Sequence, residues 1–375
     1  MTATPVVDTR AATHIPSLDG IRALSILIVF AGHAGLPQVL RDTTGVTMFF
    51  FLSGYLITTL LSREQQRSGR IALVSFYKRR VFRILPAMYS VLAVVIVINL
   101  LGLLENTMTL AGAAASSFQF TNYWIILNGR DDLPVGMNAL WSLNVEEHFY
   151  LLFPLLFIVM SKWLTRRQQV VVLLALCVAF LAWRIGLHSV LDASWDRIYL
   201  ATDTRADAIL WGCLLAIGWN PATGNGFPKA KEWAWGYFLV GAAGLYVVRE
   251  MSETVAYIVG VSLESAALMF VFTAVISAPT SLFGKILNWR PLAFLGVLSY
   301  SLYLTHRAVL FLVAEHTSLS LWWVAGISLV IGLVVSYVVY RFIEKPMIRV
   351  GKRVTLGQER TVGVGSRRDP STDYS

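Results

Sequence analysis

The stretch FRILPAMYSVLAVVIVINLLGLL (82–104) decides the fold, because after Arg83 it carries no charge as far as Leu104. A helix that spans a bilayer needs about 20 predominantly apolar residues. Comparable windows recur near 21–39, 45–61, 143–161, 168–187, 205–219, 233–248, 254–278, 291–314 and 320–343. Composition agrees. Of the 375 residues 56% are hydrophobic and 14% charged, against roughly 45–50% and about 25% in soluble domains. A disordered chain is excluded by 12 Trp, 14 Tyr and 20 Phe, which supply too much apolar surface. The sequence therefore reads as an all-α integral membrane protein of about ten transmembrane helices.

A further window, LAGAAASSFQFTNYWIIL (110–127), is long enough but holds Ser116, Ser117, Gln119, Thr121 and Asn122 at its centre. Topology decides its reading. Basic residues on short loops face the cytoplasm, and the loop after the second window carries Arg63, Arg67, Arg70, Lys78, Arg79, Arg80 and Arg83. With that loop inside and ten spans, the clusters at 162–167, 229–231, 285–290 and 345–353 also lie inside, as do both termini. An eleventh span at 110–127 would turn the later clusters outwards. We therefore read 105–142 as an outer loop that dips back against the protein. The net charge of +9 then reflects topology and anionic membrane lipids, and requires no nucleic acid.

The remaining organisation is plain. The N-terminal residues 1–14 are polar, lack a cleavable apolar region, and are expected to be disordered in the cytoplasm. The membrane domain covers 15–348, and the polar residues 349–375 are expected to form a disordered cytoplasmic tail. The segment NPATGNGFPKAKE (220–232) reads as an exposed connector. Cys177 and Cys213 both sit in apolar runs, at neither disulfide nor metal-ligand spacing, so no metal site is expected.

Ionisable residues inside spans are costly, and each is a candidate for function. In the first window Arg22 and His33 are 11 positions apart, roughly 16 Å along a helix; with Arg22 at the inner surface, His33 would lie near mid-membrane. A buried neutral His can simply pack, yet its ordinary pKa of about 6.5 also suits it to accept a proton from a hydroxyl. Ser53 and Gly54 in FFFLSGYLIT (49–58) permit close helix approach. In LWSLNVEEHFYLLFP (140–154), Glu146, Glu147 and His148 stand at the outer entrance of a span. One acid suffices for a helix start, and a carboxylate beside a histidine can orient it. Arg205, between Asp203 and Asp207, suits a structural ion pair. In SYSLYLTHRAVL (299–310), Tyr300, Tyr303 and His306 recur every third residue, on roughly one face, as interfacial anchors or as the lining of a polar cavity. Arg79, Arg80 and Arg83 in FYKRRVFRILP (76–86) satisfy the positive-inside rule, but two of them on one face can also clamp an oxyanion bidentately. No GxxxxGK[ST] or GxGxxG loop is present, which argues against nucleotide hydrolysis and dinucleotide chemistry.

Seven of these segments occur in one order: SLDGIRALSILIVFAGH (17–33), GVTMFFFLSGYLIT (45–58), FYKRRVFRILPA (76–87), WSLNVEEHFYLLFP (141–154), TRADAILWG (204–212), SYSLYLTH (299–306) and IEKP (343–346). Together they resemble the membrane-bound acyltransferase 3 family over about 15–348. The resemblance implies a ten-helix enzyme in the bacterial inner membrane. It would move an acetyl or other short acyl group from acyl-coenzyme A, a co-substrate rather than a resident cofactor, to a hydroxyl of a sugar, glycolipid or glycosylated metabolite. His33 stands at the family's essential histidine, Arg22 at its paired arginine, and Arg80 and Arg83 at its arginine pair. Ser53 and Gly54 match its serine-glycine motif, and Glu146 its more constant acid, with Glu147 beside it. Thr305 and Arg307 depart from the pattern, standing where tryptophan is common.

On this reading, acyl-coenzyme A enters from the cytoplasm with its phosphates near Arg79, Arg80 and Arg83, and His33 acts as general base or transient acyl carrier. Glu146 would support charge on His33, and a tilted helix would have to close the depth between them. Acceptor selectivity is expected from the membrane domain and the 105–142 loop. A second reading is a proton-coupled transporter or flippase with His33 and Glu146 as a relay, although paired repeats and broken helices are not evident.

Overall fold

The computed structural model describes residue 15, residues 17–104 and residues 108–365, and among them every regular element is a helix. The expected N-terminal segment 1–14 and the last ten residues lie outside the described residues. Ten long helices occupy the ten apolar windows: α1 (Leu18–His33), α2 (Asp42–Ser68), α3 (Leu73–Leu100), α4 (Leu140–Trp163), α5 (Arg166–Ser189), α6 (Thr202–Gly218), α7 (Ala234–Glu250), α8 (Val261–Ser277), α9 (Arg290–His316) and α10 (Leu321–Val339). Seven helices are long and apolar enough to cross a membrane. The other three, α1, α6 and α7, have 16 or 17 residues, about 24–26 Å at 1.5 Å each.

The first window shows why a run of apolar residues overestimates a helix. The window 21–39 extends past His33, but Gly35 adopts φ 71°, which turns the chain away, and Pro37 two residues later cannot continue the ladder. His33 is therefore the last residue of α1.

At the centre stands α2, of whose most apolar window 78% is buried, whereas the corresponding figures for α3, α5 and the α10 helix are 33%, 22% and 28%. The outer three turn Val and Leu rows towards lipid; α2 touches protein on nearly every side. Its partners are α1, α6 and α8. The α2–α6 contact needs two glycines: a Cβ on Gly54 would lie 1.9 Å from the Ile209 carbonyl oxygen, and one on Gly212 would lie 2.0 Å from that of Phe51. Small residues let helix backbones meet where the solvent is lipid.

Segment 108–139 folds as two eight-residue helices, Leu110–Ser117 and Thr121–Asn128, followed by a turn at Met137–Ala139. Each helix is about 12 Å long, too short to span. The polar centre of the window meets protein: Asn144 Nδ2 donates to Gln119 Oε1 (2.7 Å), and Asn122 donates through its side chain to the Leu200 carbonyl (3.3 Å). Non-helical backbone at membrane depth requires such partners.

Beyond 349 the structure differs from the expected disordered tail. A helix α11 (Lys345–Gly365) continues from α10 through a π-turn at Tyr340–Glu344. It packs on α3, with Gly351 against the Phe82 ring and Thr355 buried. Apolar Val350 and Val354 alternate with basic Arg349, Lys352 and Arg353, a pattern suited to a membrane interface.

A second frame is ionic. Arg184 on α5 and Asp207 on α6 are both wholly buried, with guanidinium–carboxylate distances of 2.7 and 2.8 Å. Ser262 on α8 also bonds Asp207 (2.7 Å), and Arg184 Nε donates to the Ile258 carbonyl (2.8 Å). A cation and an anion in apolar surroundings hold only with such full pairing.

Candidate active site

Two cavities are lined by the candidate residues. The larger, about 1140 Å³, opens at the end that bears the basic loop, and its wall includes Arg22, Arg79, Arg80, Arg83, Ser53 and Glu146. We refer to it as the basin. Eight cationic side chains line it against three acidic ones, so its field favours anions. The smaller, about 210 Å³, is lined by His33, Arg307, Arg130, Asn138 and the rings of Trp141, Tyr199 and Tyr257. Val46 and Tyr303 belong to both walls. These two residues stand between the two spaces, at what we call the neck.

In the basin the arginines are held unequally. The arginines of FYKRRVFRILP sit in the second and third turns of α3 rather than at its start, and α3 continues through Pro86. Arg79 reaches Glu64 (3.5 Å), while Arg22 pairs with Asp19 (2.5 Å), one turn earlier on α1. The Arg80 guanidinium lies over the Tyr150 ring at 4.0 Å, a cation–π contact that fixes its direction. Arg83 makes no hydrogen bond or ion pair among the described residues and is exposed in the basin. Beside it, Tyr300 donates to the Ile84 carbonyl (2.7 Å), tying α9 to α3.

Glu146 faces this basin. Its Oε2 lies 3.1 Å from the Tyr150 hydroxyl, which is itself 2.7 Å from Ser53 Oγ. The carboxylate can only accept, so the consistent chain is Ser53 to Tyr150 to Glu146. Glu146 and His33 line different cavities, and no hydrogen bond joins them. The expected Glu146–His33 support is therefore absent; α4 turns Glu146 towards the arginines, where its charge is compensated. Glu147, on another face of α4, lines neither cavity and leaves Oε1 buried without a hydrogen-bond partner among the described residues. His148 bonds Thr202 (2.8 Å).

The partner of His33 comes from α9. His33 Nδ1 lies 2.7 Å from Nε2 of His306, which is wholly buried, and the two rings stack with centroids 5.0 Å apart. His306 Nδ1 lies 2.7 Å from the Tyr303 carbonyl oxygen. A carbonyl only accepts, so His306 Nδ1 carries a proton; with both rings neutral, His306 Nε2 accepts and His33 Nδ1 donates. The unprotonated nitrogen of His33 is then Nε2. Its lone pair is the strongest acceptor that the small pocket offers.

Tyr303 forms the neck. Its hydroxyl donates to the Ala139 carbonyl (2.9 Å) and accepts from Ser142 (2.6 Å). The fixed hydroxyl holds the ring of α9 against α4. Arg205 reaches neither cavity: it is wholly buried, with its guanidinium 4.8 Å from the Tyr199 ring centroid and 3.3 Å from Thr47 Oγ1. The carboxylate pair expected of Arg205 falls to Arg184 instead, which bonds Asp207.

Sequence reasoning missed two residues here, Tyr150 and the Arg184 partner of Asp207, and noted Arg307 only as a departure from the family's pattern, not as a pocket residue. Tyr150 follows Glu146 by four residues, the spacing that stacks side chains on one helix face, so a local signal existed. The Arg184–Asp207 pair had none.

Comparison with known proteins identifies the family of the chain. The model of the acyltransferase domain family matches residues 15–341. The chain is 31% identical over 359 residues to the O-acetyltransferase OatA of Staphylococcus aureus, covering 90% of this chain and 58% of that protein. It is 31% identical over 356 residues to the peptidoglycan O-acetyltransferase OatA of Listeria monocytogenes, covering 90% and 56%. Against the putative peptidoglycan O-acetyltransferase YrhL of Bacillus subtilis it is 32% identical over 370 residues, covering 92% and 56%. The chain thus spans somewhat over half the length of these relatives. No solved structure matches it.

Proposed function

Because the chain belongs to the acyltransferase domain family, we propose that it is a membrane O-acyltransferase that carries an acetyl or other short acyl group from acyl-coenzyme A to a hydroxyl of a carbohydrate. The relatives' names make peptidoglycan the first acceptor to try. The observation that carries the reading is the shared neck: an anion-attracting basin and a histidine pocket meet at Tyr303 and Val46.

The chemistry follows from the parts. Phosphates of coenzyme A bind Arg80 and Arg83 in the basin, where guanidinium forks suit phosphate oxygens. The pantetheine arm extends to the neck and presents the thioester carbonyl beside Tyr303. From the opposite cavity an acceptor hydroxyl approaches Nε2 of His33. That nitrogen takes the hydroxyl proton as the oxygen attacks the carbonyl carbon; the carbon–sulfur bond breaks, and the thiolate leaves and receives a proton. His306 holds the ring in the required tautomer and disperses the imidazolium charge, the role an orienting partner plays in acyl-transfer enzymes. Arg22 and Glu146 keep the basin's polar groups aligned. With the basic loop on the cytoplasmic side, donor and acceptor enter from opposite faces of the membrane.

Membrane vesicles containing wild type or His33→Ala, supplied with labelled acetyl-coenzyme A and peptidoglycan fragments, test the reading. Wild type should transfer label, and His33→Ala should lose about 10²–10⁴-fold of the rate at equal membrane abundance. Equal transfer by both would remove His33 from the chemistry. Proton-coupled uptake without thioester cleavage would replace the enzyme with a transporter.

A further inference from the structure

The small pocket holds an electrostatic imbalance that acyl transfer to a plain sugar does not use. Arg130 and Arg307 line it, and no Asp or Glu does. Arg130 is answered bidentately by Asp196 (2.8 and 2.5 Å). Arg307 makes no hydrogen bond or ion pair among the described residues, and its Nε is buried without a partner. Its guanidinium lies over the Phe311 ring, 5.4 Å from the centroid. Asn138, in the same wall, likewise leaves Oδ1 buried without a partner among the described residues. A buried donor and a buried acceptor left unsatisfied each carry a desolvation penalty that a ligand can relieve.

Shape limits the ligand. About 210 Å³ is below the roughly 300–1,000 Å³ of drug-sized pockets, so one ring-sized unit fits. Trp141, Tyr199 and Tyr257 provide flat apolar walls, against which the C–H face of a sugar ring packs.

We propose that this pocket selects an acidic acceptor: a sugar unit whose carboxylate or phosphate bonds the Arg307 guanidinium, with a hydroxyl donating to Asn138 Oδ1 and the rings stacked on the aromatic wall. The inference rests on the pocket being the acceptor site and names the acceptor's chemical class. Arg307 is a specificity residue that touches substrate away from the reacting atoms. It directly follows His306 on α9, so the acid it holds would orient the ring while a free hydroxyl meets His33.

The test separates this site from the transfer reaction. The full chain in lipid nanodiscs is titrated with methyl glucoside, methyl glucuronide and glucose 6-phosphate, with binding followed by saturation-transfer NMR. Wild type should bind a charged sugar about tenfold or more tighter than methyl glucoside, as expected for a charge-assisted bond to guanidinium; the tighter of the two charged ligands identifies the acid. Arg307→Gln should bring the ratio near one, and Arg307→Lys should retain a preference, which guards against simple misfolding. Equal binding of charged and neutral sugars by wild type, absence of binding by all three, or a preference that survives in Arg307→Gln overturns the proposal. Labelled acetyl transfer to the same sugars is scored separately. Charged-sugar binding without transfer would sink the catalytic reading and leave the site standing; transfer without charge preference would do the reverse.

Discussion

The basin and the small pocket are built from opposite materials. The basin offers eight cationic side chains around some 1140 Å³, several of them solvated and partly redundant. The pocket offers about 210 Å³ and a few polar groups, of which His33 is fixed by one bond to His306, itself fixed by one bond to a backbone carbonyl. Recognition of a flexible, highly charged ligand tolerates redundancy because each contact is a fraction of the total. Proton transfer does not, because one nitrogen must be unprotonated and aimed.

The contrast predicts where single substitutions hurt. The largest effect should come from His306→Ala, which frees the tautomer of His33: kcat should fall about 10²–10⁴-fold, the range for losing an acid–base group or its orienting partner, with KM for acyl-coenzyme A unchanged. A fall in KM affinity instead would break the division. Next, the double variant Arg80→Ala, Arg83→Ala should raise KM for acyl-coenzyme A about 10–100-fold, as loss of charge-assisted bonds requires, and leave kcat nearly intact. Steady-state kinetics with varied acyl-coenzyme A decides it. At the neck, Tyr303→Phe leaves Ser142 and the Ala139 carbonyl short of a partner in a buried place; a loss of about 1–3 kcal/mol of stability is expected, read as a lower melting temperature in detergent. Smallest is Arg79→Ala, which removes a half-exposed pair to Glu64; KM should change by less than about threefold, since exposed pairs contribute about 0–1 kcal/mol. A tenfold change there would show that Arg79 holds a phosphate as firmly as its neighbours.

Helix positions were legible in the sequence wherever twenty apolar residues ran together, as in α3 and α10. Exact ends were not, because α1 stops at His33, just before the turn at Gly35, and the lengths of α6 and α7 depend on turns rather than on hydropathy. Segment 110–127 was legible through the basic clusters that an eleventh span would turn outwards, and its polar centre agrees, since lipid gives Asn122 no partner and protein does. Three of the basin's eight cationic side chains, Arg79, Arg80 and Arg83, could be read together from FYKRRVFRILP because they are neighbours in sequence, whereas Arg22 and Lys352 join them only in the fold. The histidine pair could not: His33 and His306 are 273 positions apart, and periodicity states which face of a helix is polar without stating which helix it meets. The same holds for Arg184 and Asp207, whose pairing crosses from α5 to α6. The start of the tail was misjudged because polarity was weighed without its spacing: Gly351 and Thr355 are buried one turn apart on the helix that packs on α3.

The neck at Tyr303 also has an electrical meaning. If water fills both cavities, the membrane voltage no longer falls over the full thickness of the bilayer but over the short distance between them, where the bonds from Tyr303 to Ser142 and the Ala139 carbonyl close the path. A unit charge crossing that whole drop exchanges about 2.3 kcal/mol with the field per 100 mV. On the proposed reading, the negative oxygen of the acyl-transfer intermediate and the departing thiolate would form beside that neck, so a membrane voltage would bear on the reaction.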